Sequence, residues 1–318
     1  MSDLKRSEIN VKSVTAIAGF DTICAALQNG DIAAIPTETV YGLAADSRND
    51  AAVAKIYTAK GRPSFNPLIV HVENIERAKS LVVWNDKAEM LAQRFWPGPL
   101  TMVLKAKPDN GISKTVSAGL DSLAIRCPAH PVMQTILAHT GLCLAAPSAN
   151  RSGGLSPTSA NHVRNSFAPN EPLIIDGGDC SHGVESSIIA LRDGGWQILR
   201  PGTITSDMIA NCLGETALEA TSDKIEAPGQ LSSHYAPRKK LRLNATSANK
   251  DEYHIGFADM LCDDNLSPSA DLKEAARNLF AALHRADLSQ AQSIAVAPIA
   301  FTGIGIAIND RLQRAAAA

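Results

Sequence analysis

Between residues 19 and 213, short apolar runs alternate with stretches of helical periodicity. Residues 32–35, 68–70, 101–104, 123–125, 142–145, 173–175, 187–190 and 197–199 are largely apolar and bounded by Gly, Pro or polar positions, and they predict buried strands. Segments 20–28, 50–59, 87–95, 132–139, 160–167 and 206–213 instead space their apolar residues as helices do. In the second of these, Val53, Ile56 and Tyr57 share a face, and Asp50 stands where an N-cap belongs. Strands that follow strands as well as helices predict an α/β domain on a twisted mixed sheet, not a regular βαβ series.

The pattern breaks after residue 213. Residues 214–241 are polar and punctuated, with Ala227-Pro228-Gly229 and then the basic Arg238-Lys239-Lys240, and they read as a linker. Beyond it, 254–257 and 293–297 read as strands, and 272–286 and 309–317 as helices. The expected division is a larger domain over 1–215, a linker over 216–245 and a small αβ domain over 246–318. A unit that short lies near the limit of independent stability, so it is expected to dock on the first.

Composition narrows the class. A chain of 318 residues fits two domains, and 45% hydrophobic against 19% charged residues excludes a disordered chain. The net charge of −2, from 30 Lys and Arg against 32 Asp and Glu, gives no support to an obligate nucleic-acid binder. Cysteines without CxxC spacing, and no histidine cluster, predict buried reduced thiols and no protein-held metal. No apolar stretch follows the N-terminal Met-Ser-Asp-Leu-Lys-Arg, and no run reaches transmembrane length, so the chain is placed in the cytoplasm, away from membranes.

Candidate chemistry gathers in loops after strands, where α/β proteins build sites. Pro36-Thr37-Glu38-Thr39-Val40-Tyr41-Gly42-Leu43 offers hydroxyls, a carboxylate and a phenol; it reads equally well as a helix start capped by Thr37. The helix at 50–59 runs into Lys60-Gly61-Arg62-Pro63. Lysine before glycine is an ordinary helix stop, but the stop does not need Arg62, held between Gly and Pro and followed by Ser64, Asn66 and His71. A point charge beside a forked guanidinium in a stiff, exposed turn suits a polyphosphate.

Ala146-Pro147-Ser148-Ala149-Asn150-Arg151-Ser152-Gly153-Gly154 lets a ligand approach the backbone, yet it matches neither a Walker A loop nor a dinucleotide fingerprint, and a plain surface loop has the same composition. Gly183-Val184-Glu185-Ser186-Ser187 is similarly divided between a turn and a strand entrance. Arg126 and Arg200 end apolar strands, and buried arginines need partners: anionic ligands, or ion pairs with Glu38 or Glu185. No Ser-His-Asp triad is readable, so positioning and charge neutralisation fit better than a covalent nucleophile.

These blocks, together with Phe95-Trp96-Pro97-Gly98-Pro99-Leu100-Thr101, Leu123-Ala124-Ile125-Arg126-Cys127-Pro128 and Leu199-Arg200-Pro201-Gly202, occur in an order that closely resembles the YrdC-type threonylcarbamoyl-AMP synthase family over residues 15–215. His234-Tyr235-Ala236-Pro237 resembles the linker of its long two-domain form, and Asn309-Asp310-Arg311-Leu312 with Arg314-Ala315-Ala316 resembles its tail. The resemblance implies a twisted α/β domain with an open, positively charged cavity and a smaller Rossmann-like C-terminal domain. It implies a nucleotidyltransferase that makes L-threonylcarbamoyladenylate and pyrophosphate from ATP, L-threonine and bicarbonate, with Mg²⁺ held mainly by the phosphates. The implied partner is a transferase that passes the threonylcarbamoyl group to tRNA, and direct contact with tRNA is a further expectation.

The implied threonine site is Thr39, His71, Arg126, the Ala146 backbone and Ser186. The implied ATP site is Lys60, Arg62, Asn66, Ser122, Ser148, Asn150, Ser156, Arg200 and Tyr235, with Lys60 and Arg62 carrying catalysis and Tyr235 acting as a lid. Gln230, the Leu-Ser-Ser at 231–233 and Ser187 depart from the family's usual residues. Two other readings compete: a non-catalytic double-stranded-RNA or tRNA-binding module on the same fold, against which the net charge weighs, and the carbamoyl-transfer domain of hydrogenase maturation proteins, against which the His-Tyr-Ala-Pro linker weighs.

Overall fold

The computed structural model describes residues 14–15, 17–219, 226–230 and 234–317. Its larger sheet has nine strands: β1 (Ala33–Ile35), β2 (Gly42–Asp46), β3 (Ile69–His71), β4 (Leu100–Lys105), β5 (Ser122–Arg126), β6 (Leu144–Ala145), β7 (Leu173–Ile174), β8 (Ser187–Arg192) and β9 (Gly195–Arg200), in the order β7-β1-β2-β6-β3-β5-β4-β8-β9. Neighbours β1/β7, β3/β5 and β4/β8 run parallel and the rest antiparallel, so the sheet is mixed as the pattern predicted. Helices α1 (Phe20–Gln28), α2 (Asp50–Lys60), α3 (Ile75–Leu81), α4 (Asp86–Phe95), α5 (Pro131–Thr140), α6 (Ala160–Phe167) and α7 (Ser206–Leu213) accompany it.

The period-two rule of strands divides the side chains between two layers. Val70, Met102, Ile125 and Ile189 enter one core with Ile56, Leu91 and Trp196. Their neighbours Ile69, Val103, Ala124, Ile188 and Ala190 face the opposite side, where Ala227 of the linker covers them. The linker therefore lies across the face on which the strand-end arginines emerge.

Several expectations change. Residues 37–43 start no helix: the Thr37 hydroxyl donates to the Val40 carbonyl at 2.6 Å, closing a turn, and β2 begins at Gly42 as the antiparallel partner of β1. Asn49, not Asp50, caps α2, its side chain accepting from Ala51 N and Ala52 N. Helix α3 was not expected; Asn74 caps it and only Ala78 and Leu81 of its residues are buried, too few for a clear period.

The second sheet is all parallel, in the order β10-β13-β11-β12, from β10 (Lys240–Arg242), β11 (Glu252–Gly256), β12 (Asp264–Asn265) and β13 (Ser293–Val296). Its first strand starts inside the segment read as linker. Helices α8 (Leu272–Leu288) and α9 (Gly305–Ala316) complete this unit, α9 starting four residues before the expected helix. Val40, Leu155 and Val184 share a core with Tyr235, Leu279, Phe280 and Leu312, so the small unit docks on the large one through buried apolar contact. At Gly183, with φ +72, an added Cβ would lie 2.3 Å from the Arg277 carbonyl oxygen, so only glycine lets this loop abut α8.

Candidate active site

A single cavity gathers the strand-end loops. It is lined by Thr37, Thr39, Val40, Gly42, Arg62, Ile69, His71, Arg126, Ala146, Pro147, Ser148, Glu185, Ser186 and Arg200, and is roofed by Pro228, Gly229, His234 and Tyr235 from the linker. The resemblance implied an open cavity. Instead the volume is about 40 Å³, room for a few waters and not for a nucleotide. The roof fits tightly for a physical reason: a Cβ on Gly229 would sit 2.7 Å from Tyr235 Oη and 2.9 Å from Arg200 Cδ. Tyr235 is held in the left-handed region at φ 64, and its ring lies against Phe280 at 5.7 Å.

One end of the cavity centres on Arg126. Its guanidinium pairs with Glu38 at 2.6 Å and donates to Thr39 Oγ1 at 3.0 Å and to the Gly98 carbonyl at 3.2 Å. The other Glu38 oxygen accepts from Ala129 N at 3.0 Å. The ion-pair alternative therefore holds for Arg126. Burial opposes the Glu38 charge, but Arg126 overrides it and holds the carboxyl below its ordinary range. His71 ends β3 beside Arg126, its cross-strand partner; burial first, and then Arg126, push its imidazole down to about 3, so it is neutral. Its buried Nδ1 has no partner.

The other end is cationic. Arg62 gives Nε and Nη2 to the Asn66 carbonyl, Asn66 Oδ1 and the Pro67 carbonyl at 2.6–3.1 Å. Arg200 gives Nε and Nη2 to Ser186 O and Ser186 Oγ, both at 3.0 Å, and Nη1 to the Pro228 carbonyl. Lys60 stands one layer behind the lining, its Nζ donating to the Ser148 and Asn150 carbonyls at 2.6 and 2.5 Å. Every one of these acceptors is uncharged, and among the described residues no carboxylate pairs with Lys60, Arg62 or Arg200. Burial lowers the affinity of each for its proton, Arg62 to about 10 and Lys60 well below the usual lysine value.

The expected exposed turn at 60–62 is corrected here. Lys60 is 3% and Arg62 8% exposed, because the loop at 148–154 folds over them and Ser152 N bonds the Lys60 carbonyl at 2.8 Å. Asn66, Asn150 and Ser156 are buried in support: Asn66 holds Arg62, Asn150 ties its own loop through Gly154 O and Arg151 O, and Ser156 donates to Glu185. Ser122 is not brought to the cavity; it starts β5, four residues before Arg126 and so about 13 Å away along the strand. The departing 231–233 segment lies outside the described residues.

One residue was singled out only as part of a tail motif. Arg311, on α9, is fully buried and pairs with Glu185 at 2.7 Å and Asp310 at 2.6 Å. A signal was present: Ile308, Arg311, Leu312 and Ala315 repeat at helical spacing, and an arginine within an apolar face needs a buried partner. Among the described residues no group of three His, Cys, Asp or Glu side chains converges as a metal cage, and no helix is long and apolar enough to cross a membrane.

A family model for Sua5, YciO and YrdC proteins, described as telomere recombination, matches residues 25–202, and one described as the threonylcarbamoyl-AMP synthase C-terminal domain matches residues 204–317. A threonylcarbamoyl-AMP synthase of Bacillus subtilis is 39% identical, covering 92% of this chain and 91% of that protein. One of Pyrococcus abyssi is 36% identical, covering 98% and 96%. The crystal structure of P. abyssi Sua5 complexed with L-threonine matches with a TM-score of 0.85 at 34% identity, over 93% of this chain and 94% of that one. A full-length HypF structure, 21% identical with a TM-score of 0.52, shares the fold over 58% of this chain.

Proposed function

The chain belongs to the Sua5, YciO and YrdC family in its long two-domain form, and on that premise we propose how its cavity works. It is a nucleotidyltransferase: ATP, L-threonine and bicarbonate become L-threonylcarbamoyladenylate, pyrophosphate and water, in the threonylcarbamoyladenosine modification of tRNA. The threonine amine takes up the bicarbonate carbon as a carbamate, a carbamate oxygen attacks the α-phosphorus, and the bond to pyrophosphate breaks. No step needs a protein nucleophile.

The observation that carries the assignment is that Lys60, Arg62 and Arg200 have no carboxylate partner among the described residues, at one end of a buried cavity whose other end holds a compensated Arg126. Three cations bonded only to neutral acceptors suit a triphosphate. We assign ATP to Lys60, Arg62, Asn66, Ser148, Asn150, Ser156, Arg200 and Tyr235, with Arg62, Arg200, Ser148 and Tyr235, which line the cavity, touching it and the others supporting the loops around it. Ser122 belongs to this set only if the nucleotide extends beyond the present cavity. Threonine is assigned to Thr39, His71, Arg126, the Ala146 backbone and Ser186; the remaining N–H groups of Arg126 take its carboxylate, and neutral His71, whose Nδ1 has no partner among the described residues, faces its polar groups.

Mg²⁺ bound with the nucleotide would neutralise charge on the phosphates. Glu185, which lines the cavity, and Glu38, which backs Arg126, are both taken by arginines, so the ion would be held by phosphate oxygens and water and not by these carboxylates. The catalytic unit is assigned to 1–215, the linker to 216–245 and the small domain to 246–318. The product passes to a tRNA-directed transferase in the cytoplasm, with or without direct tRNA contact by this chain.

The test is pyrophosphate release from ATP with L-threonine and bicarbonate omitted in turn. Release should require both, and release indifferent to threonine would overturn the function.

A further inference from the structure

We infer that Arg311, contributed by the small domain, is a positioning residue for the phosphate end of the site: by occupying Glu185 it leaves Arg200 free for ATP. The inference rests on the assignment of Arg200 to the phosphates.

Glu185 immediately precedes Ser186, whose carbonyl and hydroxyl hold Arg200, and both charged side chains are buried at the same cavity. A buried carboxylate next to a buried guanidinium gains by pairing with it, since neither can reach water. Here that pairing is pre-empted. Glu185 Oε2 accepts from Arg311 Nε at 2.7 Å, and Oε1 accepts from Ser156 Oγ at 2.5 Å, so both oxygens are engaged away from Arg200.

Arg311 reaches further into the site. It donates to the carbonyl of Pro201, the residue after Arg200, at 2.9 Å, and its guanidinium carbon lies 5.2 Å from the centre of the Tyr235 ring. One side chain from the last helix therefore touches the carboxylate, the strand end and the roof together. A mere domain staple does not require this charge, because the apolar contacts of Val40, Leu155 and Val184 with Phe280 and Leu312 already dock the unit, and a buried ion pair is a poor source of stability.

Steady-state pyrophosphate release by the full chain tests this, with ATP varied at saturating L-threonine and bicarbonate, then threonine varied at saturating ATP. Arg311→Gln releases Glu185 to Arg200, and KM for ATP rises about tenfold or more, the worth of one charge-assisted contact. KM for threonine moves by clearly less than KM for ATP, because the Arg126 end is untouched and only Ser186, which Arg200 shares with the threonine site, is disturbed. The double variant Arg311→Gln/Glu185→Gln removes both charges, keeps the net charge of wild type, and brings KM for ATP back to within about threefold. Arg311→Lys, which keeps a cation on Glu185, stays close to wild type.

A double variant that keeps the tenfold defect overturns the inference, as does an Arg311→Gln variant that shifts both KM values alike or neither. If Arg311→Gln does not fold, the double variant and Arg311→Lys decide by the same criterion. Wild-type release without threonine would instead sink the proposed function, before any variant is compared.

Discussion

Replacing Lys60 with Met separates a lysine that holds a loop from one that merely ends a helix. The substitution keeps the buried aliphatic stem and removes the donors to the Ser148 and Asn150 carbonyls. A buried carbonyl deprived of its donor costs about 1–3 kcal/mol, so two cost roughly 2–6 kcal/mol, offset in part by losing a desolvated ammonium. A net loss of about 2 kcal/mol lowers the melting midpoint of a unit this size by roughly 4–8 °C.

The pH dependence gives the sharper check. The unfolded lysine keeps its proton up to the ordinary value of 10.5, whereas burial, and then Arg62, make the folded one release it well below that. Between those two values the unfolded chain binds more protons, so wild-type stability gains with rising pH, by at most about 1.4 kcal/mol per unit. Circular-dichroism melts of both proteins at pH values rising toward 10.5 should show a gap that widens as pH rises. Superimposable melts, or a gap that narrows, would refute the buried, loop-holding role.

Arg62→Met should cut threonine-dependent pyrophosphate release by about tenfold or more through loss of a cavity-facing guanidinium; wild-type rates would remove Arg62 from the phosphate site. Glu38→Gln breaks the buried pair with Arg126 and should destabilise by about 3 kcal/mol in denaturant titrations. Because the Glu38 carboxyl titrates below its unfolded value of 4.5, its contribution is complete above that value and lost as pH falls through the lowered one, so acid should hurt wild type more than the variant. Tyr235→Phe deletes a buried hydroxyl with no partner among the described residues, so melting should be unchanged or improved while KM for ATP rises; an unaltered KM would make the ring a cover only. Truncation after Leu213 removes both the roof and Arg311 and should abolish turnover, whereas an active fragment would reduce the linker to a tether.

The sheet was legible because most of its strands are continuous apolar runs, and a strand buried on both faces needs little else to declare itself. Strand β2 was not: Gly42-Leu43-Ala44-Ala45-Asp46 has no β-branched residue, and it is extended because β1 and β6 flank it. The cations were readable as types and misread as to place. Lysine before glycine looks exposed at the end of an isolated helix, and only a loop ninety residues later buries Lys60. For Arg126 and Arg200 the local sequence offered two carboxylates as partners. Glu38 goes to Arg126, while Glu185 is taken by Arg311, more than a hundred residues further along. Such long-range arithmetic has no local signature beyond an arginine on an apolar helix face.

The roof over the cavity has a kinetic corollary. If the proposed assignment of ATP to this cavity holds, Pro228, Gly229 and Tyr235 have to shift for the nucleotide to enter, and the same roof has to open for the product to leave. On that assignment a mixed anhydride formed under the roof would be shielded from hydrolysis while the roof is closed, and for the same interval it would be withheld from any enzyme that consumes it. The cover that protects the intermediate would thus also set the pace of its delivery, and a variant with a looser roof should trade yield for speed.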